Sequence, residues 1–536
     1  MFIPQKSRLI PTVMATQHPD NAGVPFWHDE AFISSQAETD EMYRNFSDVG
    51  CDEYMWDWEG KFADESIIEK LMGRYLDFFR KKQLGRDIFI TLRIPNIWEE
   101  KTFKLARAYM SVLSAAEFTK SLKLKSPPVF EFILPMTKRA DQLIHIQETF
   151  QKTARLQEEI FGNTSSESKQ AVSTANYTRT ARARTRGFPE VSVMNKGGYI
   201  HIIPLFESVD DLTGCAALLE SYIKLHIKHF GKKPAYLRPF IARSDPALNA
   251  GFVPCVLASR MALREFYRVG AAHKIPVYPI IGTGSLPFRG GVNPENIENI
   301  LHQYEGVKTV TVQSAFRYDY PLPQVKKTIA YMKKHLAKPV APIFNDKEFA
   351  GLKKTSKIFE DLYRPIIEQA SDAINEMAAF IPRRRERMQH IGLFGYNRGV
   401  GKTKLPRAIS FTGAWYSLGI PPEFIATGRG LAQAQKQGLL PLIEKHFFTL
   451  RDELQHAGKY LNQENLEKLA RKHDWAKKIK EDVRLAAEIL KIEIGPSKPN
   501  HFIHRNLTST IAFKKELKQD FSRELVEAAL MRKSLG

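Results

Sequence analysis

The chain has 536 residues, of which 43% are hydrophobic and 26% charged, a composition that excludes a disordered or fibrous protein. Its 79 Lys and Arg residues against 59 Asp and Glu residues give a net charge of +20, which indicates a surface that attracts anions. Nucleic acid, anionic lipid and small phosphorylated acids all fit that description, so charge alone does not choose among them.

The sequence has no stretch near the roughly 18 uninterrupted apolar residues that a membrane-spanning helix requires. Its first residues lack the apolar run and cleavage site of a secretory signal. Cys51, Cys215 and Cys255 are far apart and have no CxxC spacing, which favours reduced thiols over disulfides or zinc ligands. We therefore expect a cytoplasmic protein with no membrane contact.

Short β-rich runs alternate with longer amphipathic stretches, a pattern typical of a parallel sheet with crossover helices. The runs lie at 51–57, 87–94, 128–136, 199–207, 235–244, 275–282, 307–315 and 391–396. The helical patterns lie at 66–79, 138–160, 210–229, 247–270 and 322–336. Eight strands close a barrel, so we predict the α/β class, with a (β/α)₈ TIM-type barrel and added helices.

Two regions interrupt the alternation. Residues 162–187 are polar, with arginines between small residues, and predict a long surface loop inserted in the barrel. After Pro421 the sequence becomes helical and strongly charged. We therefore predict a barrel with a catalytic rim over residues 1–420, and a helical extension over 421–536 that packs on the barrel and is not an independent domain.

His18 lies in the segment TQHPDN, before any predicted regular structure. A histidine side chain titrates near neutral pH and suits proton transfer, although a loop histidine without a chemical role is the commoner case. The segment alone leaves both interpretations open.

Two apolar runs end on a carboxylate, at Glu207 in IPLFE and at Asp245 in ARSDPALN. The carboxyl ends of parallel strands meet at one rim, where two carboxylates can share a hard cation such as Mg²⁺ or Mn²⁺. An N-capping aspartate and a salt bridge at the rim are the structural alternative.

The segment GTGSLPFRGG follows another predicted strand. Its glycines let backbone N–H groups approach an anion, and Arg289 can grip a phosphate through two nitrogens. The segment matches neither GxxxxGK[ST] nor GxGxxG, so a plain connecting loop is an equal possibility. Other arginines that would strengthen an anion site by converging with it are Arg93, Arg317 and Arg407.

In combination, these segments resemble a known family. The archaeal-type phosphoenolpyruvate carboxylases are closely similar, in the same order and over nearly the whole chain, through TQHPDN, GCDEYMWDWEGK, TLRIPN, IPLFESVDDL, FIARSDPALN, GTGSLPFRGG, VQSAFRYDY, HIGLFGYNR and MRKSLG. The longer bacterial and plant enzymes are more distantly similar. In them a TAHPT segment carries the catalytic histidine, PLFET and SDSGKDAG segments supply metal-binding carboxylates, and a glycine-rich loop supplies arginines.

The resemblance implies an irreversible carboxylation of phosphoenolpyruvate by bicarbonate, which yields oxaloacetate and phosphate through carboxyphosphate and a metal-bound enolate and replenishes the tricarboxylic acid cycle. It implies catalytic roles for His18, Arg93 and Arg289, and it makes Glu207 and Asp245 ligands of Mg²⁺ or Mn²⁺. Substrate binding is expected of the remaining candidates at the rim, Lys61, Arg243, Ser285, Arg317 and Arg407. The family also suggests a homotetramer.

The sequence departs from the longer enzymes in two ways. A lysine that follows their metal-binding aspartate is missing after Asp245, which leaves its anion contact to Arg243 or Lys61. One of the two arginine-containing glycine motifs is also absent. Because water must be excluded during the reaction, we expect a lid, supplied by residues 162–187 or by the C-terminal tail with its carboxylate folded back to the rim.

Two other classes of protein remain possible from the residues alone. Another metal-dependent lyase of the TIM-barrel type, acting on phosphoenolpyruvate or an oxoacid, would carry a similar rim, and bicarbonate-dependent oxaloacetate formation distinguishes it. A nucleic-acid-binding protein would explain the charge and the basic run at 383–385. No binding-module signature for DNA or RNA is present, so we expect small-molecule substrates and no nucleic acid.

Overall fold

The computed structural model describes residues 9–58, 64–99, 104–124, 126–162, 199–386, 399–400 and 403–536. Eight strands form one closed parallel barrel in chain order, and the last strand pairs with the first. They are β1 (Val13–Thr16), β2 (Glu53–Asp57), β3 (Phe89–Arg93), β4 (Val129–Leu134), β5 (His201–Phe206), β6 (Phe240–Ala242), β7 (Ile280–Gly282) and β8 (Thr309–Val312). The predicted fold class, a (β/α)₈ TIM-type barrel with added helices, is therefore confirmed.

Seven of the eight predicted runs contain a barrel strand, and the eighth, at 391–396, lies outside the described residues. The barrel closes with β1, which the sequence analysis missed. The statement that His18 precedes any regular structure is therefore wrong. His18 follows β1 by two residues, which places it at the carboxyl-terminal mouth of the barrel, where chemistry in this fold is located.

Helices cover the outside of the barrel between and after the strands. The first group is α1 (Glu38–Arg44), α2 (Ile67–Lys81), α3 (Lys104–Ser121), α4 (Ala140–Gly162), α5 (Val209–Thr213), α6 (Cys215–Phe230), α7 (Ser244–Ala250), α8 (Phe252–His273), α9 (Ile297–Gln303), α10 (Ser314–Tyr318) and α11 (Leu322–His335). All five predicted helical stretches contain a helix. Two of them are divided, at Gly214 and Gly251, into a short helix at the rim and a long crossover helix.

A second group of helices follows the last barrel strand. It comprises α12 (Asp346–Ala379), α13 (Ala408–Ser417), α14 (Thr427–Lys436), α15 (Leu440–His446), α16 (Leu450–Gly458), α17 (Gln463–Lys472), α18 (Asp474–Leu490), α19 (Pro499–Glu516) and α20 (Ser522–Met531), with a small hairpin of β9 (Gly399–Val400) and β10 (Thr403–Lys404) before α13. One apolar core runs from the barrel helices into this group. The division of the chain at residue 420 stays a prediction.

Two kinds of side chain fill the barrel interior. Apolar side chains from six strands pack together, namely Met14, Met55, Ile133, Ile203, Leu205, Phe240 and Ile280. The Arg238 guanidinium donates to the carboxylates of Glu53 and Glu131 and to the Thr309 hydroxyl, all of them buried. Glu53, Glu131 and Thr309 lie on β2, β4 and β8, so the cluster links these strands across the barrel. Its buried charges are tolerated because they are paired.

In the described part of the chain, no helix combines the length and the apolar character needed to cross a bilayer. Cys51, Cys215 and Cys255 are all buried, and none of them forms a disulfide, as the sequence predicted.

Candidate active site

The carboxyl ends of the eight strands open at one mouth because the barrel is parallel and closed. Glu207 follows β5 directly, and Asp245 lies three residues beyond β6. These two strands pair side by side, so both predicted metal ligands lie on neighbouring strand ends. His18, after β1, lies across the same mouth, four strands from β5 and three from β6 in the order of the barrel.

The His18 side chain is half-buried, two residues after β1. Its Nδ1 lies 3.0 Å from the Thr16 hydroxyl oxygen. Its backbone carbonyl accepts hydrogen bonds from the Asp20 and Ser314 N–H groups, at 3.1 and 3.3 Å. A ring nitrogen bonded to a fixed hydroxyl restrains the imidazole, which suits a group that must transfer a proton in one direction.

Arg289 is buried at the mouth and joins four segments of the chain. Its Nε donates to the Ser244 hydroxyl at 3.2 Å, and its Nη1 donates to the Asp20 carboxylate at 3.1 Å and to the Gly536 carbonyl at 2.5 Å. Its Nη2 donates to the Gln313 side-chain oxygen. The positively charged Arg289 guanidinium is therefore buried at the rim, where it contacts Ser244, the residue before Asp245.

Burial sets the electrostatics of this pair. Desolvation raises the pKa of Asp20, and the charge of Arg289 opposes that shift. Desolvation likewise lowers the pKa of Arg289, and Asp20 opposes it. Each group thus stabilises the ionised form of the other, and the loop that carries His18 is linked to the predicted phosphate-binding arginine through Asp20.

The glycine-rich loop is shaped to let Arg289 fold back over it. Gly290 and Gly291 have φ values of 119° and 71°, a conformation that residues with a side chain rarely adopt. A Cβ at Gly284 would lie 2.8 Å from the central carbon of the Arg289 guanidinium. Glycine at these positions is therefore explained by backbone conformation and by close approach of the arginine.

Arg93 forms a bidentate ion pair with Asp57. Its Nε and Nη2 donate to the two carboxylate oxygens at 2.9 and 2.6 Å, and both residues are buried. They end the neighbouring strands β3 and β2 and are directly in register. This geometry fixes the plane of the guanidinium at the mouth.

Arg317 and Arg243 are buried and each is hydrogen-bonded to other parts of the protein. Arg317 is fully buried, donates to the Thr16 carbonyl and to Asn45, both at 2.6 Å, and lies 3.4 Å from Glu41. Its placement favours a role in holding β1 over the substrate contact expected from the sequence.

Arg243 is equally buried and donates from Nε to the Tyr304 hydroxyl at 2.7 Å, while its Nη1 contacts the Cys255 sulfur. Cys255 lies on α8 and Tyr304 directly follows α9, so the guanidinium points into the helical layer. Its Nη2 is buried without a hydrogen-bond partner in the described structure, and the expectation that Arg243 replaces the missing lysine at the substrate stays a prediction.

The remaining candidates are placed differently. Ser285 lies in the glycine-rich loop, and its buried hydroxyl has no hydrogen-bond partner within the described ranges. Arg407 is exposed at the start of α13. Lys61 and residues 163–187 of the predicted polar loop lie outside the described residues.

The donor set at the mouth fits a hard divalent cation. Among the residues described, His, Cys, Asp and Glu form no group of three that could hold a metal by themselves. Glu207 and Asp245 offer two carboxylates, and Glu207 is oriented by a 2.5 Å hydrogen bond from the Met136 N–H. Asn249, one helical turn after Asp245, has a buried side-chain oxygen without a hydrogen-bond partner in the described structure. Oxygen donors that leave positions for substrate and water are typical of Mg²⁺ and Mn²⁺ sites.

Sequence reasoning placed Asp57 at the rim but missed the other acidic and amide partners that organise these groups, namely Asp20, Glu41, Gln313 and Asp319. Most of them lie inside motifs that were already singled out, TQHPDN and VQSAFRYDY. Their presence beside the candidate histidine and arginines was the available signal. The residues that they pair with are distant in the sequence, so the pairing itself could not be predicted.

Comparison with known proteins gives a consistent result over the whole chain. A family model described as "Phosphoenolpyruvate carboxylase" matches residues 10–536. The phosphoenolpyruvate carboxylase of Oenococcus oeni is 37% identical over 535 residues, which cover 99% of both chains. The enzymes of the same name from Metallosphaera sedula and Caldivirga maquilingensis are each 35% identical, over 546 and 541 residues that cover 99% of this chain and 100% of theirs.

Proposed function

The chain belongs to the phosphoenolpyruvate carboxylase family and is a carboxy-lyase, and we propose that it acts at the barrel mouth around Arg289. The reaction joins phosphoenolpyruvate and bicarbonate into oxaloacetate and releases phosphate. The observation that carries this placement is the convergence of His18, Arg93, Arg289 and the strand ends of β5 and β6 on one mouth.

Both substrates are anions, so the site must supply positive charge before they can approach. Arg93 and Arg289 are the arginines that we assign to the phosphate. One acceptor of Arg289, the Gln313 side-chain amide, is neutral. A phosphate oxygen is a stronger acceptor for a guanidinium than this amide oxygen, so substrate can displace the contact with Gln313.

Glu207 and Asp245 would hold Mg²⁺ or Mn²⁺, with the Asn249 oxygen close by on the same helix as Asp245. When bound, the cation supplies positive charge beside the phosphate and carboxylate oxygens of the substrate and stabilises negative charge that develops during the reaction. Glu207 and Asp245 would keep the positive charge of the cation at the side of the mouth opposite His18.

We assign His18 as the base. A bicarbonate oxygen attacks the phosphorus atom and breaks its bond to the enol oxygen, which forms carboxyphosphate and the enolate of pyruvate. His18 removes the remaining proton of carboxyphosphate, whose C–O bond then breaks to give CO₂ and phosphate. The enolate carbon attacks CO₂ and yields oxaloacetate. Water must be kept from the enolate, and the buried segment 534–536 beside Arg289 supports the tail as part of the cover.

The assay for the reaction is bicarbonate-dependent oxaloacetate formation, coupled to NADH oxidation by malate dehydrogenase. A lyase of another specificity would fail this assay. For the base, His18→Asn should retain bicarbonate-dependent phosphate release but yield pyruvate in place of oxaloacetate. Undiminished carboxylation by this variant would remove His18 from the mechanism.

The cation is tested by binding alone. Asp245→Asn should weaken Mn²⁺ binding, measured by calorimetry, at least about 10-fold, because a metal-bound carboxylate is replaced by a neutral amide. An unchanged affinity would exclude Asp245 as a ligand. Asp210→Asn, at an exposed acid of α5 near the same rim, serves as the control.

We also propose a cytoplasmic homotetramer that binds small-molecule substrates and no nucleic acid. Light scattering of the purified chain measures its mass in solution. Retention on a polyanion column with a steep dependence on salt would instead support the nucleic-acid alternative.

A further inference from the structure

The loop that follows β1, residues 17–23, has its backbone held on both edges by two side chains, the half-buried Asp319 and the buried Arg384. The Asp319 carboxylate accepts hydrogen bonds from the N–H groups of Ala22 and Gly23, each at 2.7 Å. Arg384 donates from Nε and Nη2 to two carbonyl groups of the same loop, at 3.1 and 3.0 Å. We call Asp319 and Arg384 the loop clamp. It fixes both the donors and the acceptors of successive peptide groups.

The loop is shaped for this contact. A Cβ at Gly23 would lie 3.1 Å from Asp319 Oδ1, closer than side chains normally tolerate. Glycine at this position therefore lets the carboxylate reach the backbone. A larger side chain at Gly23 would therefore disturb the clamp without changing any charge.

The clamp is separate from the groups assigned to substrate and metal. Asp319 directly follows α10, and the N–H groups of Ser314 and Ala315 at the start of that helix donate to the His18 carbonyl and the Asp20 carboxylate. The contacts of Asp319 itself are to backbone N–H groups of the loop, and no hydrogen bond joins it to Arg289 among the described contacts. Its effect on chemistry must therefore pass through the position of the loop.

We propose that Asp319 is a positioning residue for the base, and that it sets the place of the His18 imidazole over the mouth. The inference rests on the proposed function, since it assigns the purpose of the clamp from the role of His18. A base must lie within hydrogen-bond reach of the proton it removes, and misplacement by about 1 Å costs up to about 100-fold in rate. Phosphoryl transfer depends on the arginines and the cation and does not need the imidazole.

The proposal predicts a change in product ratio rather than a general loss of activity. In Asp319→Asn one carboxylate oxygen becomes an NH₂ group that faces a backbone N–H, so one half of the contact is lost. Bicarbonate-dependent phosphate release should stay within a few fold of wild type. The share of product trapped as oxaloacetate by excess malate dehydrogenase should fall about 10-fold, with the remainder detected as pyruvate by lactate dehydrogenase.

The chain offers a matched control at the other end of the same strand. Asp52 accepts hydrogen bonds from two successive backbone N–H groups, of Thr12 at 3.0 Å and of Val13 at 2.7 Å. Asp52→Asn removes a contact of the same chemistry at the end of β1 remote from His18. It should lower thermal stability and leave the oxaloacetate share unchanged.

Gly23→Ala is the second test, because it displaces the carboxylate without removing it, and it should shift the product ratio in the same direction. The proposal is overturned if both variants keep the wild-type oxaloacetate share, if phosphate release and oxaloacetate fall in parallel, or if Asp52→Asn shifts the ratio equally. Failure of the proposed function is recognised separately, since His18→Asn would then leave the ratio unchanged.

Discussion

Glu41 on α1 is fully buried between two guanidinium groups, and it provides a quantitative test of the electrostatics behind the barrel mouth. Arg385 donates to its carboxylate at 2.5 Å, and Arg317 lies 3.4 Å away. The hydroxyls of Tyr54 and Tyr318 donate to it at 3.0 and 2.8 Å. Burial alone would raise the pKa of Glu41, but the two arginines and these hydrogen bonds lower it to about 2.

The magnitude follows from the difference between this pKa and the ordinary value of 4.5. At about 1.4 kcal/mol for each factor of ten in proton affinity, the ionised carboxylate contributes about 3 kcal/mol to stability at neutral pH. Because the pKa is lowered in the folded state, this contribution is complete above pH 4.5. It is lost as the pH falls from there towards 2.

Glu41→Gln removes the charge and leaves Arg317 and Arg385 buried without their anion, a change that costs about 3–5 kcal/mol. We expect urea unfolding at pH 7 to show a large loss of stability, and the gap between variant and wild type to narrow as the pH falls from 5 to 3. Asp77→Asn, at an exposed position of α2, is the control and should change stability by less than about 0.5 kcal/mol. A gap below about 1 kcal/mol at pH 7, or one that stays constant with pH, would refute the reasoning.

Two further predictions concern packing and buried charge elsewhere. Arg238→Met leaves Glu53 and Glu131 buried in the barrel without a positive partner. The thermal midpoint of unfolding should therefore fall by an amount that corresponds to about 3–5 kcal/mol. A midpoint equal to that of wild type would mean that the cluster contributes nothing to stability. Gly428→Ala places a Cβ 2.0 Å from the Asp482 carbonyl oxygen, so it should force α14 and α18 apart and lower the free energy of unfolding by about 1–3 kcal/mol. The control is Gly73→Ala in α2, where the added Cβ would have nothing within 4 Å and should be neutral or stabilising. Equal stabilities of these two alanine variants would contradict that explanation.

Most of the barrel was predictable because its strands are apolar runs of buried side chains between helices of crossover length. β1 was missed because a strand of four residues, VMAT, carries too little local pattern to be identified alone. Its place in the sheet is decided by pairing with β2 and β8, contacts that span up to about 300 residues and leave no local pattern.

The candidate site was predictable in part, for a related reason. The strand ends give the positions of Glu207, Asp245 and Arg289 at the rim once the fold is known. They do not give the direction of a long side chain. Arg317 and Arg243 contact Glu41 and Tyr304, partners that sequence spacing does not reveal.

Residues near 18 and near 536 meet in the folded molecule, and this has a consequence for biosynthesis. The Leu535 N–H donates to the Asp20 carbonyl at 2.7 Å, and the Gly536 carbonyl accepts from Arg289. Translation delivers the first of these partners at the start and the second more than 500 residues later. A ribosome-bound chain whose segment 534–536 is still inside the exit tunnel can form barrel strands, but it lacks these contacts. Catalytic competence should therefore appear abruptly, when that segment is released and docks.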